Sequence, residues 1–340
     1  MELYLDSADV NEIKEAFKLG FLNGLTTTPT FMHRHGITDI DGTIVELSKI
    51  VPVLQIEALG TTAKEIVAEA ERQYKLGLDK SKTVFKIPIS LEGAKACKLL
   101  KDKGFMVNIH LVYSLQQAYL AMSAGADFVC PLVGRLQDQG QDALWLVEQC
   151  VQTVNNYGYD TKIMFSSVRN VEHVRNALNI GAHTITVPYK VLKQMSENYF
   201  TELGTREFFE HTRLMTKTVR EVIPDVNPIV TVNESIHKCL VKMTLCGNGA
   251  VTIVNDKQEP IGIFTDGDLR RMIEKEGGTS VNKKAGDLKL KIPKSVEAND
   301  LLYVASAMFK ETQVDTLVVT ENGKAIGLID IQDLLGLDGF

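Results

Sequence analysis

The sequence predicts an α/β protein: a (β/α)8 barrel over roughly the first 200 residues, then a tandem pair of smaller modules. Three observations carry this. Short apolar runs alternate eight times with segments of helical period. A glycine repeatedly closes a helix just before the next run. Beyond residue 228 a strand–helix pattern returns 65 residues later.

The first run is 2–5, followed by a helix bearing Val10, Ile13, Ala16 and Phe17 and closed by Gly20. Runs at 23–26 and 52–58 lead to a helix with Ile66, Ala68, Ala70 and Tyr74, closed by Gly77. The fourth run, 83–89, ends at Ser90-Leu91-Glu92-Gly93, a helix start that leads into Ala94, Cys97, Leu99 and Leu100. Runs at 105–112, 127–133, 161–166 and 183–187 complete the eight, preceded by Gly104, Gly125, Gly158 and Gly181. Such glycines supply the left-handed residue that ends a helix. Strands buried on both faces read as near-continuous apolar runs, as these do. An open doubly wound sheet is the alternative topology, but it wants a glycine-rich phosphate loop after an early strand, which this sequence lacks.

The composition, 44% apolar and 24% charged, is that of an ordinary globular protein long enough for two domains. A net charge of −6 provides no basic footprint for nucleic acid. Cys97, Cys130, Cys150, Cys239 and Cys246 show no metal-ligand spacing, and reduced thiols in a cytoplasmic protein are expected. No charged and apolar leader opens the chain, and no run approaches the ~18 apolar residues of a membrane helix.

Lys86 stands inside the fourth run, between Phe85 and Ile87. Desolvation there pushes an amine below its usual pKa of about 10.4, and a neutral amine can attack a ketone to form a Schiff base. The alternative is a lysine whose ammonium reaches solvent or a carboxylate. Barrels build their chemistry where strands end. The polar residues there are Asp6; Thr26, Thr27 and Thr28; Glu57; Lys86; Asn108 and His110; Arg135; Ser167 and Arg169. Carboxylates suit proton transfer, and arginine forks suit a phosphate or carboxylate.

These residues carry a resemblance to the transaldolase family, in particular its short branch that includes fructose-6-phosphate aldolases. MELYLDSADV, GLTTTPT, KIPISLEG, NIHLVYSLQQA, PLVGR and SSVRN match in order and spacing over residues 1–215. The resemblance implies a TIM barrel of the class I aldolase type, ending in a helix that reaches a neighbouring subunit. It implies Lys86 as the Schiff-base lysine, Glu57 and Asp6 as acid/base groups, and Asn108 beside the imine. It further implies Thr26 and Thr28 on the substrate side, with Arg135, Ser167 and Arg169 holding a phosphate. Glu57 stands where the aldolase branch has Gln, and Leu132 where it has Tyr, so the site is more similar to a transaldolase. The implied activity is cleavage or transfer of a three-carbon ketol (dihydroxyacetone-type) unit between sugar phosphates, as in pentose phosphate metabolism, with no metal or catalytic cofactor. A fructose-6-phosphate aldolase-type lyase with an altered donor is one alternative; an inactive barrel that senses a sugar phosphate is another.

Three positions depart from the family pattern: Thr28 replaces an asparagine, His110 a hydroxyl residue, and Cys130 a small residue. Thr28 loses an amide, and His110 brings a group that titrates near neutrality. Space filling, or a direct part near the imine as proton donor or hydroxyl partner, are the two readings of His110. Cys130 reads as packing. Asp6 has the alternative of a helix-start carboxylate ahead of Asp9.

Residues 197–222 read as an amphipathic connecting helix with Phe200, Leu203, Phe208, Leu214 and Val219, and Pro224 through Pro228 breaks the pattern. The expected division is a barrel domain at 1–215, a linker at 216–227, and modules at 228–285 and 286–340. In the first module 250–254 precede IGIFTDGDLRR; in the second, 316–320 precede 327–334, with Asn322-Gly323 as a hairpin turn. The repeat resembles a CBS pair, similar to that of arabinose-5-phosphate isomerases. That resemblance implies an adenine nucleotide or other ligand near Thr265, Asp268 and Asp333. Asp330 would repel a phosphate in the second copy, so one good site is expected. A ligand-free assembly module is the alternative, and Arg270 and Arg271 fit either a solvated face or an anion. A homo-oligomer, formed through the connecting helix and the CBS pair, is the expected assembly.

Overall fold

The computed structural model describes residues 1–334. It divides into two compact units, Met1–Glu197 and Asn198–Phe340. The first is a closed barrel of eight parallel strands in sequence order. They are β1 (Glu2–Asp6), β2 (Gly24–Thr26), β3 (Leu54–Glu57), β4 (Thr83–Pro88), β5 (Met106–Val112), β6 (Phe128–Pro131), β7 (Lys162–Phe165) and β8 (Thr184–Val187). Each lies within two residues of an end of its apolar run, because burial on both faces makes the run itself the strand.

Alternation divides every strand between two cores. Leu5, Leu25, Ile56, Phe85, Ile87, Ile109, Val129, Phe165 and Ile185 face outward, into a large cluster shared with the surrounding helices. Tyr4, Val84, Phe128, Cys130, Leu132 and Met164 pack with one another inside the barrel, with Val53 and Met106 against them. This inner plug dries the floor under the strand ends. Helix starts follow local chemistry: Asp9, Ser90, Ser114 and Asn170 each accept backbone N–H groups of the turn that follows. Gly158 and Gly181 close their helices in the left-handed conformation.

The second unit holds two three-stranded sheets. One contains β9 (Ile229–Thr231), β10 (Ala250–Val254) and β11 (Pro260–Thr265); the other β12 (Ser295–Glu297), β13 (Thr316–Glu321) and β14 (Lys324–Asp330). Each pairs one parallel and one antiparallel neighbour, so the repeat read from the sequence is a structural duplication. Asn322 and Gly323 both take positive φ in the tight turn between β13 and β14.

Two expectations need correction. Residues 216–227 are not a free linker: Val219 and Val222 are buried with Val296, Leu302, Phe309 and Leu317. Val219 and Arg220 donate backbone hydrogen bonds to Asp300 and Ala298, both at 2.8 Å. The helix Tyr199–Thr216, expected to close the barrel domain, belongs to the second unit, where Leu214 joins that same core and Arg213 donates to the Asp333 carbonyl at 3.0 Å. The last six residues of the expected second module lie outside the described residues.

Candidate active site

Lys86 points into the barrel because Phe85 and Ile87 on either side of it point out. It is 5% exposed, and its Nζ donates to Glu57 Oε1 at 2.9 Å and to the Thr27 carbonyl at 3.2 Å. Glu57 arrives by the same logic: Ile56 packs outward, so Gln55 and Glu57 both face inward, and the register sets Glu57 beside Lys86. On the other side Asn108 pairs in register with Lys86, and its Nδ2 donates to Gln55 Oε1 at 2.6 Å. Thr26 Oγ1 donates to Asp6 Oδ1 at 2.8 Å and lies 2.5 Å from Thr186 Oγ1. Asp9 caps the first helix, which frees Asp6 from that duty.

The electrostatics overturn one expectation. Burial alone would lower the pKa of Lys86, but the carboxylates of Glu57 and Asp6 outweigh it and hold the amine above its usual value. The resting lysine is therefore an ammonium, not a neutral amine. Burial would raise Glu57, yet Lys86 and His110 bring it down to about 2. Asp6 is pushed upward by burial, against the pull of Lys86. Burial lifts the Cys130 thiol to about 11, which leaves it a neutral packing group.

Strand β5 carries an irregularity. Ile109 pairs with Val129, but Val112 pairs with Pro131, so β5 has one residue more than β6 at this point. Leu111 takes φ of 56°, the left-handed region that costs a branched side chain. His110 faces inward by regular alternation, and the bulge turns Leu111 inward beside it. His110 Nε2 lies 2.9 Å from Glu57 Oε2, on the carboxylate oxygen that Lys86 does not use. The ring is turned so that an N–H on Nε2 does not aim along that line, and neither atom has another hydrogen-bonding partner.

The segments carrying Arg135, Ser167 and Arg169 come together beyond the ends of β6 and β7. A Cβ on Gly134 would lie 2.1 Å from the Ser167 carbonyl oxygen and 2.7 Å from Arg169 Nε, so only glycine admits this approach. Ser167 itself takes φ of 59°. Arg135 donates to the Tyr113 hydroxyl at 3.4 Å, and Arg169 to Asp138 at 2.8 Å. Both guanidinium groups are exposed. The Thr28 hydroxyl caps the helix Pro29–Arg34 by accepting from the Phe31 N–H at 3.3 Å, which leaves its own O–H to donate.

Sequence reasoning missed three contributors: the Thr27 carbonyl, Gln55 and Thr186. Period-two alternation would have found two of them, since Gln55 shares a face with Glu57, and Thr186 with Thr184. At the strand ends Thr27 Oγ1, Glu57 Oε2, Asn108 Oδ1 and His110 Nε2 are buried without hydrogen-bond partners. Buried polar atoms are almost always paired. Four unpaired atoms around one lysine make a mouth ready for a polar ligand.

In the second unit Thr265 and Asp268 cap the helix Asp266–Glu276 reciprocally. Asp268 Oδ2 accepts from the Thr265 hydroxyl at 2.7 Å, and Oδ1 accepts from Arg271 at 2.7 Å and Lys291 at 3.0 Å. Burial notwithstanding, these donors bring its pKa to about 2. Asp333 accepts the Asp330 N–H at 2.7 Å. All three residues expected near a nucleotide are thus engaged within their own motif.

The first unit is thus a closed parallel α/β barrel with a buried lysine–carboxylate pair at its strand ends. Residues 3–232 match the family model described as transaldolase/fructose-6-phosphate aldolase, and the chain belongs to that family. Residues 214–275 and 285–338 match the CBS domain model. A probable transaldolase of Desulforudis audaxviator is 42% identical over 212 residues, covering 62% of this chain and 96% of that protein. A probable transaldolase of Geotalea uraniireducens is 39% identical over 211 residues, covering 62% and 97%. Among solved structures, a CBS domain protein of Pyrobaculum aerophilum complexed with AMP is 16% identical, covers 34% of this chain and 89% of that one, and has a TM-score of 0.31.

The Lys86–Glu57 pair makes a stability prediction. Its contribution is complete between about pH 5 and 10, lost toward acid as Glu57 protonates near 2 and toward alkali above the usual lysine range. Glu57→Gln at pH 7 leaves a buried ammonium unpaired and costs about 3–5 kcal/mol. Adding Lys86→Met to it recovers most of the loss, read as Tm. A double variant no more stable than the single one would refute the pairing.

Proposed function

We propose that the barrel is a Schiff-base enzyme that cleaves or transfers a three-carbon ketol unit of sugar phosphates. The observation that carries this is the buried Lys86–Glu57 pair at the strand ends, with Asp6 close enough to bear on the lysine's charge. In this reading Lys86 adds to the ketone, and Glu57 moves protons between the amine and the departing oxygen. Asp6, a carboxylate whose hold on a proton burial strengthens, takes the hydroxyl proton on the far side of the breaking bond. The iminium accepts the electron pair of that bond and becomes an enamine on Lys86.

Protonation and hydrolysis of the enamine release the fragment, the lyase outcome. Capture by an aldehyde phosphate gives the transferase outcome, which the names of the relatives favour. Thr26 orients Asp6, and Asn108 offers its unpartnered Oδ1 to a donor hydroxyl. Arg135, Ser167 and Arg169 receive the phosphate once Arg169 leaves Asp138. Thr28 accepts at its helix cap and keeps its own O–H to donate.

Borohydride added with fructose 6-phosphate is expected to fix a ketose-derived mass on Lys86, located by peptide mass spectrometry, and Lys86→Met to abolish it. No adduct with any ketose phosphate, or an undiminished adduct in Lys86→Met, removes the reading.

The CBS pair is proposed as a regulatory or assembly module that binds one anionic ligand, an adenine nucleotide by preference, at Thr265 and Asp268. Binding requires Arg271 or Lys291 to exchange Asp268 for the ligand. AMP or ATP at 100 Kd is expected to stabilise this unit by about 2.7 kcal/mol, and Asp268→Ala to reduce the effect. A melting transition unmoved by either nucleotide leaves assembly as the module's function.

A homo-oligomer belongs to the same proposal. The helix Tyr199–Thr216 has no buried residue, and Tyr199, Phe200, Phe208, Phe209 and Met215 are 67–77% exposed. A partner subunit is the natural cover for such a face. Changing Phe200 and Phe208 together to Ser is expected to lower the mass measured by light scattering while leaving the circular dichroism of the barrel unchanged. An unchanged mass would count against this surface.

A further inference from the structure

An ammonium cannot attack a ketone, so the resting pair has to dispose of a proton before the chemistry begins. Glu57 is its nearest acceptor and a poor store. We propose that His110 is the proton store of the Lys86–Glu57 pair: Glu57 conducts the ammonium proton to the imidazole, and the same path returns it to the departing oxygen. The inference rests on the Schiff-base reading and adds to it a residue that acts through Glu57.

Geometry carries the argument. The Glu57 carboxylate bridges two groups, with Oε1 2.9 Å from Lys86 Nζ and Oε2 2.9 Å from His110 Nε2. Oε2 and Nε2 are both buried and otherwise unpartnered. A small rotation of the ring lets one proton satisfy both atoms, and two facing acceptors at this distance call for one. The backbone is bent beside the contact. Without the extra residue in β5, regular alternation would still turn His110 inward, but Leu111 would leave the inner face; with it, the left-handed Leu111 packs inside beside His110. The imidazole is thereby walled from solvent at 8% exposure.

The surrounding charges agree. His110 faces Glu57 from β3, Lys86 from β4 and, more remotely, Arg135 beyond β6, which bonds Tyr113 further along β5's own segment; the neutral Cys130 thiol and Asp6 stand about Lys86. Burial first, and then Lys86 and Arg135, keep the imidazole below its ordinary pKa against the pull of Glu57. It is thus neutral at pH 7, with a lone pair to offer. Glu57, at about 2, passes a proton on more readily than it keeps one.

The balance closes. Lys86–NH3⁺, Glu57–COO⁻ and neutral His110 become Lys86–NH2, Glu57–COO⁻ and His110 imidazolium. The amine adds to the carbonyl, and His110 returns its proton through Glu57 to the carbinolamine oxygen. The nitrogen then gives up a second proton by the same route, and the C–O bond breaks to release water. In sum R–NH3⁺ and a ketone become R–NH⁺=C and H2O, with two protons moved from nitrogen to oxygen and no net charge exchanged.

The test measures the rate of cyanoborohydride trapping with fructose 6-phosphate from pH 5 to 9, by intact mass, for the parent protein, Lys86→Met and His110→Gln. The parent rate is expected to rise from acid and level off once the imidazole is neutral. His110→Gln, which keeps a polar side chain but cannot titrate, is expected to trap about 100-fold more slowly at pH 7.5. Its rate should climb steadily to pH 9, because its amine sheds the proton to water. A His110→Gln rate within about threefold of the parent with the same pH profile overturns the inference while leaving the Schiff base intact. A parent that forms no Lys86 adduct at all removes the Schiff-base reading, and this inference with it. Should His110→Gln fail to melt cooperatively, the parent profile decides alone: a rate still climbing at pH 9 refutes the store.

Discussion

A charged pair buried in a parallel sheet is the constraint on which the barrel's arrangement depends. Removing two ions from water costs several kcal/mol each, and Coulomb attraction repays this only with good geometry. The barrel supplies that geometry through its register: Glu57 and Lys86 are neighbours on adjacent strands, facing the same interior. The Thr27 carbonyl takes a second ammonium proton. Tyr4, Val84, Phe128 and Met164 fill the floor beneath and keep water from dissolving the pair from below. What remains unsatisfied lies on the open side, where a substrate would supply the missing hydrogen bonds.

The same pair explains why a reactive lysine can rest as an ammonium. A lone buried amine would be neutral and ready, but would also leave Glu57 without a partner. Pairing stabilises the fold and postpones reactivity until a proton finds another place. On this view the site needs a third group: alternation along β5 turns His110 to the free oxygen of Glu57, and the irregularity packs Leu111 beside it. Glycine at 134 does comparable work at the ends of β6 and β7, letting the backbone approach Ser167 and Arg169 closely.

Much of this was legible in the sequence, for stated reasons. Strands buried on both faces leave apolar runs, and helix-ending glycines mark where one unit stops, so the eight-strand order followed from the chain alone. Lys86 inside VFKIP was visible as an anomaly. The sign of its pKa shift was not, because desolvation is read from one strand whereas the opposing charge stands on another. The bulge was invisible too: residues 109–112 read as unbroken strand, and only pairing with β6 exposes the extra residue. Thr28 also caps the helix that begins with proline at 29, a duty not read from the strand-end pattern.

The second unit shows how duplication can preserve a scaffold while altering its chemistry. In the first copy Thr265 and Asp268 form a reciprocal cap, and Arg271 and Lys291 neutralise the carboxylate. In the second, Asp330 and Asp333 occupy the corresponding turn, and Asp333 is pushed upward by burial and by Asp330 beside it. Arg271 and Lys291 offset Asp268 at the first copy, whereas Asp330 adds a carboxylate beside Asp333 where the first copy has Thr265, so the pair is electrostatically lopsided despite matching sheets. An anion that displaced Asp268 would find Arg271 and Lys291 already in place, whereas at the second copy it would meet like charge. The asymmetry therefore follows from one helix start, where the first copy has Thr265 and the second Asp330.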